Sequence, residues 1–148
     1  MVALISLWLL DLRPVPSSLI GLGISVVHWL SLFVHHFGHA IAARRTGYPM
    51  VGMRIWWWLA TSLYPGDEPS LPREIHLQRA FGGPVASLAF AVMAALLVLP
   101  LYAAGYWAWP FFAIAGLDSF LIFAIGSLIP LGFNDGSTIL RWLRERKE

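Results

Sequence analysis

A chain of 148 residues is one domain's worth of sequence, but 58% of it is hydrophobic and only 12% is charged, a balance that excludes an ordinary water-soluble globule. The net charge of +2 and the pI near 9.4 reflect local basic clusters and give no ground for a nucleic-acid partner. Without cysteine there is no disulfide framework, so compartment has to be read from charge and hydropathy.

Val2 to Leu10 is apolar but shorter than the roughly 20 residues that cross a bilayer, and Arg13-Pro14-Val15-Pro16 follows it. The expectation is a short N-terminal interfacial or half-inserted helix. It lacks the basic start and small-residue cleavage site of a secretory signal, so it is expected to be retained. From Leu19 to Ala43 there are 25 residues without Asp, Glu, Lys or Arg, which predicts a first span over about 19–45, ending in a turn at Gly47.

The segment from Tyr48 to Arg79 mixes Trp56-Trp57-Trp58, four prolines and the pair Asp67-Glu68. It is expected to be an interfacial loop, with the tryptophans at headgroup level and with 51–59 as an extended strand or re-entrant piece. Ala80 to Leu117 is a run of 38 residues without charge, long enough for two spans. The Gly, Trp and Pro cluster between Gly105 and Pro110 divides it into spans near 83–105 and 111–130. Beyond Pro130, Ser137 to Glu148 suits a C-terminal amphipathic helix with Trp142 at the membrane surface and four basic residues facing anionic lipid.

Nine of the ten Lys and Arg lie between Arg44 and Arg79 or from Arg141 onward. By the positive-inside rule both segments are cytoplasmic, and three spans satisfy that arrangement. The fold class expected is therefore a single all-α, multi-pass membrane domain over 1–148, embedded in a bilayer such as a bacterial cytoplasmic membrane.

The chemistry concentrates in His35-His36-Phe37-Gly38-His39, inside the first span. Ionisable groups in a bilayer are costly and mark sites. His35 and His39 stand at i and i+4, one above the other on a single helix face, a spacing that lets two imidazoles share one metal. Asp135, where the last span returns to the cytoplasmic side, is the candidate third ligand at similar depth, since a carboxylate there is better placed opposite a cation than alone. Two imidazoles and one carboxylate leave a fourth tetrahedral position open, and imidazole donors disfavour magnesium. His28 shares the stripe but is seven residues, about 10.5 Å, from His35, too far to bind the same ion. Asp118 is about 25 Å of helix from Asp135; Tyr102, Tyr106 and His28 are its candidate partners. His76 reads as a solvated surface residue.

Three motifs carry a family resemblance. His35-His36-Phe37-Gly38-His39-Ala40-Ile41-Ala42-Ala43-Arg44 resembles the His-Glu-x-x-His helix of site-2 proteases, the intramembrane zinc metallopeptidases. Gly83-Pro84-Val85-Ala86-Ser87 is similar to their Gly-Pro-x-x-Asn entry to the middle helix. Ser127-Leu128-Ile129-Pro130 followed by Asp135-Gly136 is similar to their Asn-x-x-Pro and Asp-Gly signature. The resemblance covers 19 to about 140. It implies a three-span core holding Zn2+ on His35, His39 and Asp135, with Gly83, Pro84, Ser87 and Ser127 at substrate-binding positions and the metal site toward the cytoplasm. It also implies cleavage of another protein's transmembrane helix, locally unwound; the strand-like pattern of 50–59 suggests, separately, that this piece pairs with the unwound strand.

This chain departs from that pattern where it matters most. His36 occupies the place of the general-base Glu, and serines replace both Asn. Three readings follow: His36 is itself the base, a loop carboxylate such as Glu68 or Glu74 takes over, or hydrolysis is lost and the chain is a metal-binding membrane protein that binds or shelters partner transmembrane segments.

Overall fold

The computed structural model describes residues 17–144. The N-terminal stretch Val2 to Leu10 and the last four residues of the expected amphipathic helix lie outside the described residues. In chain order the elements are α1 (Ser17–Arg45), β1 (Gly52–Trp56), β2 (Leu59–Leu63), α2 (Arg73–Ala103), α3 (Trp109–Asp118) and α4 (Asp135–Arg144). Between the last two, α3 continues as a π-helical stretch, Ser119–Ile125, and a 3-10 turn, Gly126–Leu128. Three helical runs are long and apolar enough to cross a membrane: Leu19–Arg45, Arg73–Ala103 and Trp109–Leu128. This is an integral, multi-pass membrane protein with a short hairpin in the first interhelical connection and a terminal helix after the third span.

Lipid sets which side chains face outward. On α1, Leu22, Val26, Leu30, Phe33 and Phe37 are exposed, a stripe at helical spacing that meets acyl chains rather than water. The opposite face of α1 buries Val27, Ser31, Leu32, His35 and His39. Small residues allow the first two spans to touch. A Cβ on Gly82 would lie 2.6 Å from the Gly38 carbonyl oxygen and 2.6 Å from the Ala42 Cβ, so only glycine permits this approach. Close backbone packing of this kind drives helix association where lipid removes the hydrophobic incentive.

The second helix starts at Arg73, ten residues before the apolar run expected to form the span. Pro72 stands at its N-cap, and the turns between Arg73 and Arg79 extend the helix beyond its apolar part. Pro84 and Pro100 sit inside it, which a transmembrane helix tolerates when neighbours satisfy the freed carbonyls.

The hairpin pairs β1 and β2 antiparallel, from Gly52 opposite Leu63 to Trp56 opposite Leu59. Its tip holds Trp57 in the left-handed region at φ 52°, uncommon for a bulky residue, with the indole 89% exposed. The Trp58 carbonyl is 3.0 Å from His28 Nε2 and the Ser62 hydroxyl is 3.1 Å from His36 Nδ1. From His28 to His36 is about 12 Å of helix, and from Trp58 to Ser62 about 13 Å of strand. β2 therefore runs alongside α1, and the tryptophan triplet lies level with the apolar stretch of the first span rather than beyond its end. Of the two forms that its sequence allows, the 51–59 run takes the extended strand, and the His28 ring gives the hairpin tip a hydrogen-bonding partner on α1.

Candidate metal centre

Helical spacing stacks His35 over His39 on α1, with ring centroids 4.7 Å apart. Their Nε2 atoms lie 3.0 Å from each other. Asp135 reaches both rings from the first turn of α4: Oδ2 is 3.1 Å from His35 Nε2 and Oδ1 is 3.3 Å from His39 Nε2. Among the described residues these three form the cluster able to hold a metal ion. A tetrahedral ion with bonds of about 2.0–2.1 Å separates its ligand atoms by about 3.3 Å, so these spacings fit a shared divalent cation.

The outward-facing ring nitrogens fix the lone pairs. His39 Nδ1 is 2.8 Å from the Arg79 carbonyl. That oxygen only accepts, so Nδ1 carries the proton and Nε2 turns its lone pair toward Asp135. Gly83 N lies 3.3 Å from the same nitrogen; it is the helical donor four residues after Arg79, and the shorter contact decides the tautomer. His35 Nδ1 is 3.0 Å from the Ser87 hydroxyl, which can accept its proton in the arrangement that orients metal-binding histidines. With both rings so placed, two lone pairs and a carboxylate converge, and a cation relieves their mutual repulsion.

Local sequence explains why Asp135 arrives there. Asn134 caps α4: its side-chain oxygen accepts from the Ser137 backbone N–H at 3.3 Å and from the Ser137 hydroxyl at 2.8 Å, and also from Leu131 N at 3.1 Å. The Ser137 hydroxyl in turn takes the Gly132 N–H at 2.6 Å, and Gly132 turns the chain at φ 94°. A side chain on Gly136 would overlap the Leu128 carbonyl, so glycine lets α4 begin against the end of the third span. Asn134 and Ser137 are positioning residues that a search for ligands passes over; their signal is the N-cap spacing of a polar residue three before another.

The residues at substrate-binding positions fall in two places. Gly83 lies under the rings, where a Cβ would stand 2.6 Å from His35 Nε2, and Pro84 is buried beside it. Ser87 is 0% exposed, its hydroxyl spent on His35. Ser127 donates to the Phe123 carbonyl at 2.7 Å and lines the cavity that opens on the cluster. That cavity, about 1030 Å³, is bounded by the three cluster residues, by His36 and by the hairpin from Leu59 to Ser62. Phe123 packs against the His35 ring at 5.4 Å.

His36 is buried in the cavity wall with Nδ1 held by Ser62, and it stands outside the metal-capable cluster. Glu68 also borders the cavity, but both its oxygens bond the Arg79 guanidinium, which keeps its carboxyl below the usual range. Glu74 is exposed. His76 is a wall residue rather than a solvated one: its ring stacks on Trp142 at 4.0 Å. Of the candidate partners for Asp118, the structure selects His28, 3.2 Å from Oδ1.

Fold and site together define a membrane protein whose three spans bury a His-His-Asp cluster able to coordinate a divalent cation. No protein-family model, characterised protein or solved structure matches the chain.

Proposed function

We propose that the chain binds one divalent cation, zinc by its donor set, on His35, His39 and Asp135, and uses the adjoining cavity to hold a segment of another membrane protein's transmembrane helix without a dedicated base for hydrolysis. The observation that carries this reading is the convergence of two imidazole Nε2 atoms 3.0 Å apart on the Asp135 carboxylate, one oxygen 3.1 Å from His35 and the other 3.3 Å from His39, with a buried backing partner for each imidazole. Imidazole and carboxylate together suit zinc better than magnesium or calcium. The cavity supports a partner of helix or extended-strand size, and its hairpin wall offers backbone to an unwound segment. The surplus of Lys and Arg in the 44–79 and 141–148 segments favours a cytoplasmic orientation of the cluster in a bacterial-type membrane.

The carboxylates that could stand in for a general base are committed or distant. Glu68 is clamped by Arg79 and Glu74 is exposed and does not line the cavity, while His36 has one nitrogen occupied by Ser62. A second reading, an active site-2-protease-like peptidase, is favoured by one observation: the cavity opens directly onto the cluster and His36 borders it. Zinc supplies Lewis acidity when bound. His36 would then have to move the proton through Nε2, with Nδ1 fixed by the hairpin hydroxyl.

Reconstitution with zinc and a panel of single-span substrates separates the two. The proposal predicts chelator-sensitive cross-linking of a partner helix to the cavity without cleavage by the native chain, and cleavage on introducing His36→Glu. Chelator-sensitive cleavage by the native chain replaces this proposal with the peptidase reading.

A further inference from the structure

A second polar cluster lies apart from the metal centre, nearer the start of the first span. His28 Nδ1 is 3.2 Å from Asp118 Oδ1 on the third span, and His28 Nε2 is 3.0 Å from the backbone oxygen of Trp58 at the hairpin tip. Each ring nitrogen thus faces an oxygen, and the Trp58 carbonyl can only accept. Nε2 must therefore carry a proton. The contact to Asp118 then needs another, on Nδ1 as an imidazolium beside a carboxylate, or on Oδ1 as a carboxylic acid beside a neutral ring. Both forms contain the same atoms and are neutral overall, as suits a half-buried pair within an apolar span.

We propose that His28 and Asp118 bind one transferable proton that latches the hairpin tip to the first span, and that its loss frees the hairpin from one wall of the metal cavity. On deprotonation the dyad keeps a single N–H and carries one negative charge. That N–H turns to the carboxylate, the Nε2 lone pair faces the lone pairs of the Trp58 oxygen, and the tip contact becomes repulsive. A lateral cavity of about 560 Å³ borders the dyad and gives the proton a route; Ser25, Ile24, Ile114, Leu117 and Leu121 line it, with Trp58. Asp118 Oδ2 is buried without a hydrogen-bond partner, leaving a free lone pair as the acceptor.

The other neighbours do not titrate. Trp58 and Phe123 pack on the His28 ring at 5.9 and 5.4 Å, and among the described residues Asp118 is the other ionisable group lining the lateral cavity. His35, seven residues along α1, is separated from His28 by the Phe123 ring, which contacts both. The tip matters to the metal cavity because the same hairpin forms its wall from Leu59 to Ser62. That consequence rests on the reading of the cavity given above, whereas the latch itself does not.

The chain has no cysteine, so a nitroxide pair at Trp57→Cys and Leu96→Cys, both exposed positions, reports the tip's position in lipid nanodiscs. The measurement is made with chelator present, which makes it independent of whether the cluster holds an ion. The native dyad is expected to give one distance at pH 5 and a second, longer one as pH rises, with the ratio of the two growing about tenfold per pH unit through the transition, as one-proton linkage requires. Asp118→Asn supplies a non-titrating N–H to Nδ1, leaving the proton on Nε2, and is expected to hold the closed distance from pH 5 to 10. A native distance unchanged over that range, an Asp118→Asn protein that follows the native curve, or one that is open throughout, overturns the proposal.

Discussion

Ser87 shows how much of this site is decided by a single hydroxyl. It is fully buried and bonded to His35 Nδ1, so Ser87→Ala removes the group that holds the ring while leaving the three ligand atoms in place. Loss of such a backing partner lowers metal affinity by roughly 10- to 100-fold, and competition titration against a chelator should read that drop. Gly83→Ala is expected to act more severely, since the added methyl enters the space of both rings. Glu68 provides the pH-dependent counterpart. Its carboxyl is held low by Arg79, so the stabilisation it gives is present above the ordinary Glu range near 4.3 and fades as pH falls through the lowered value. Glu68→Gln should therefore lower the melting temperature at pH 7, and the difference from the native chain should shrink below pH 4. At this scale the sequence was informative about ligands because His35 and His39 are set by helix periodicity alone. It gave no sign that the Ser87 hydroxyl and the Arg79 carbonyl back the two rings, since those contacts depend on how two distant helices cross.

The elements place Asp135 and the hairpin, and both depend on short-range signals. Asn134 caps α4 and organises the turn from Leu131 to Ser137. Asn134→Ala should destabilise the helix start by about 1 kcal/mol and weaken metal binding without touching a ligand, which thermal denaturation and metal titration would show together. The hairpin is expected to matter for partner binding: Ile55→Pro removes a backbone donor from β1 and should reduce cross-linking of a partner segment, whereas unchanged affinity would count against strand pairing there. The strand-like run around 51–59 was visible in its composition, but its depth was not. Its place along α1 follows from the contacts of Trp58 with His28 and Ser62 with His36, which composition does not encode. The start of α2 at Arg73 was equally hidden, because hydropathy locates the apolar part of a helix and not its polar extension.

The whole molecule is three apolar helices whose existence was plain from uncharged runs, packed round a core in which a few buried polar side chains were legible only in part. The family resemblance of the His pair, the Gly-Pro pair and Asp-Gly implied that they converge, and Gly38 against Gly82 shows how the first two spans come close enough to allow it. An ion held between α1 and α4 ties the first crossing to the segment after the last. Zinc at 100 times its dissociation constant should therefore stabilise the fold by about 2.7 kcal/mol. The most direct test of that central claim is the metal content of the purified protein, native and Asp135→Ala, after dialysis against zinc and removal of loosely bound ion. The account predicts one equivalent in the native chain and less than about a tenth of that in the variant at the same free zinc; equal stoichiometry and affinity in the two proteins would contradict it.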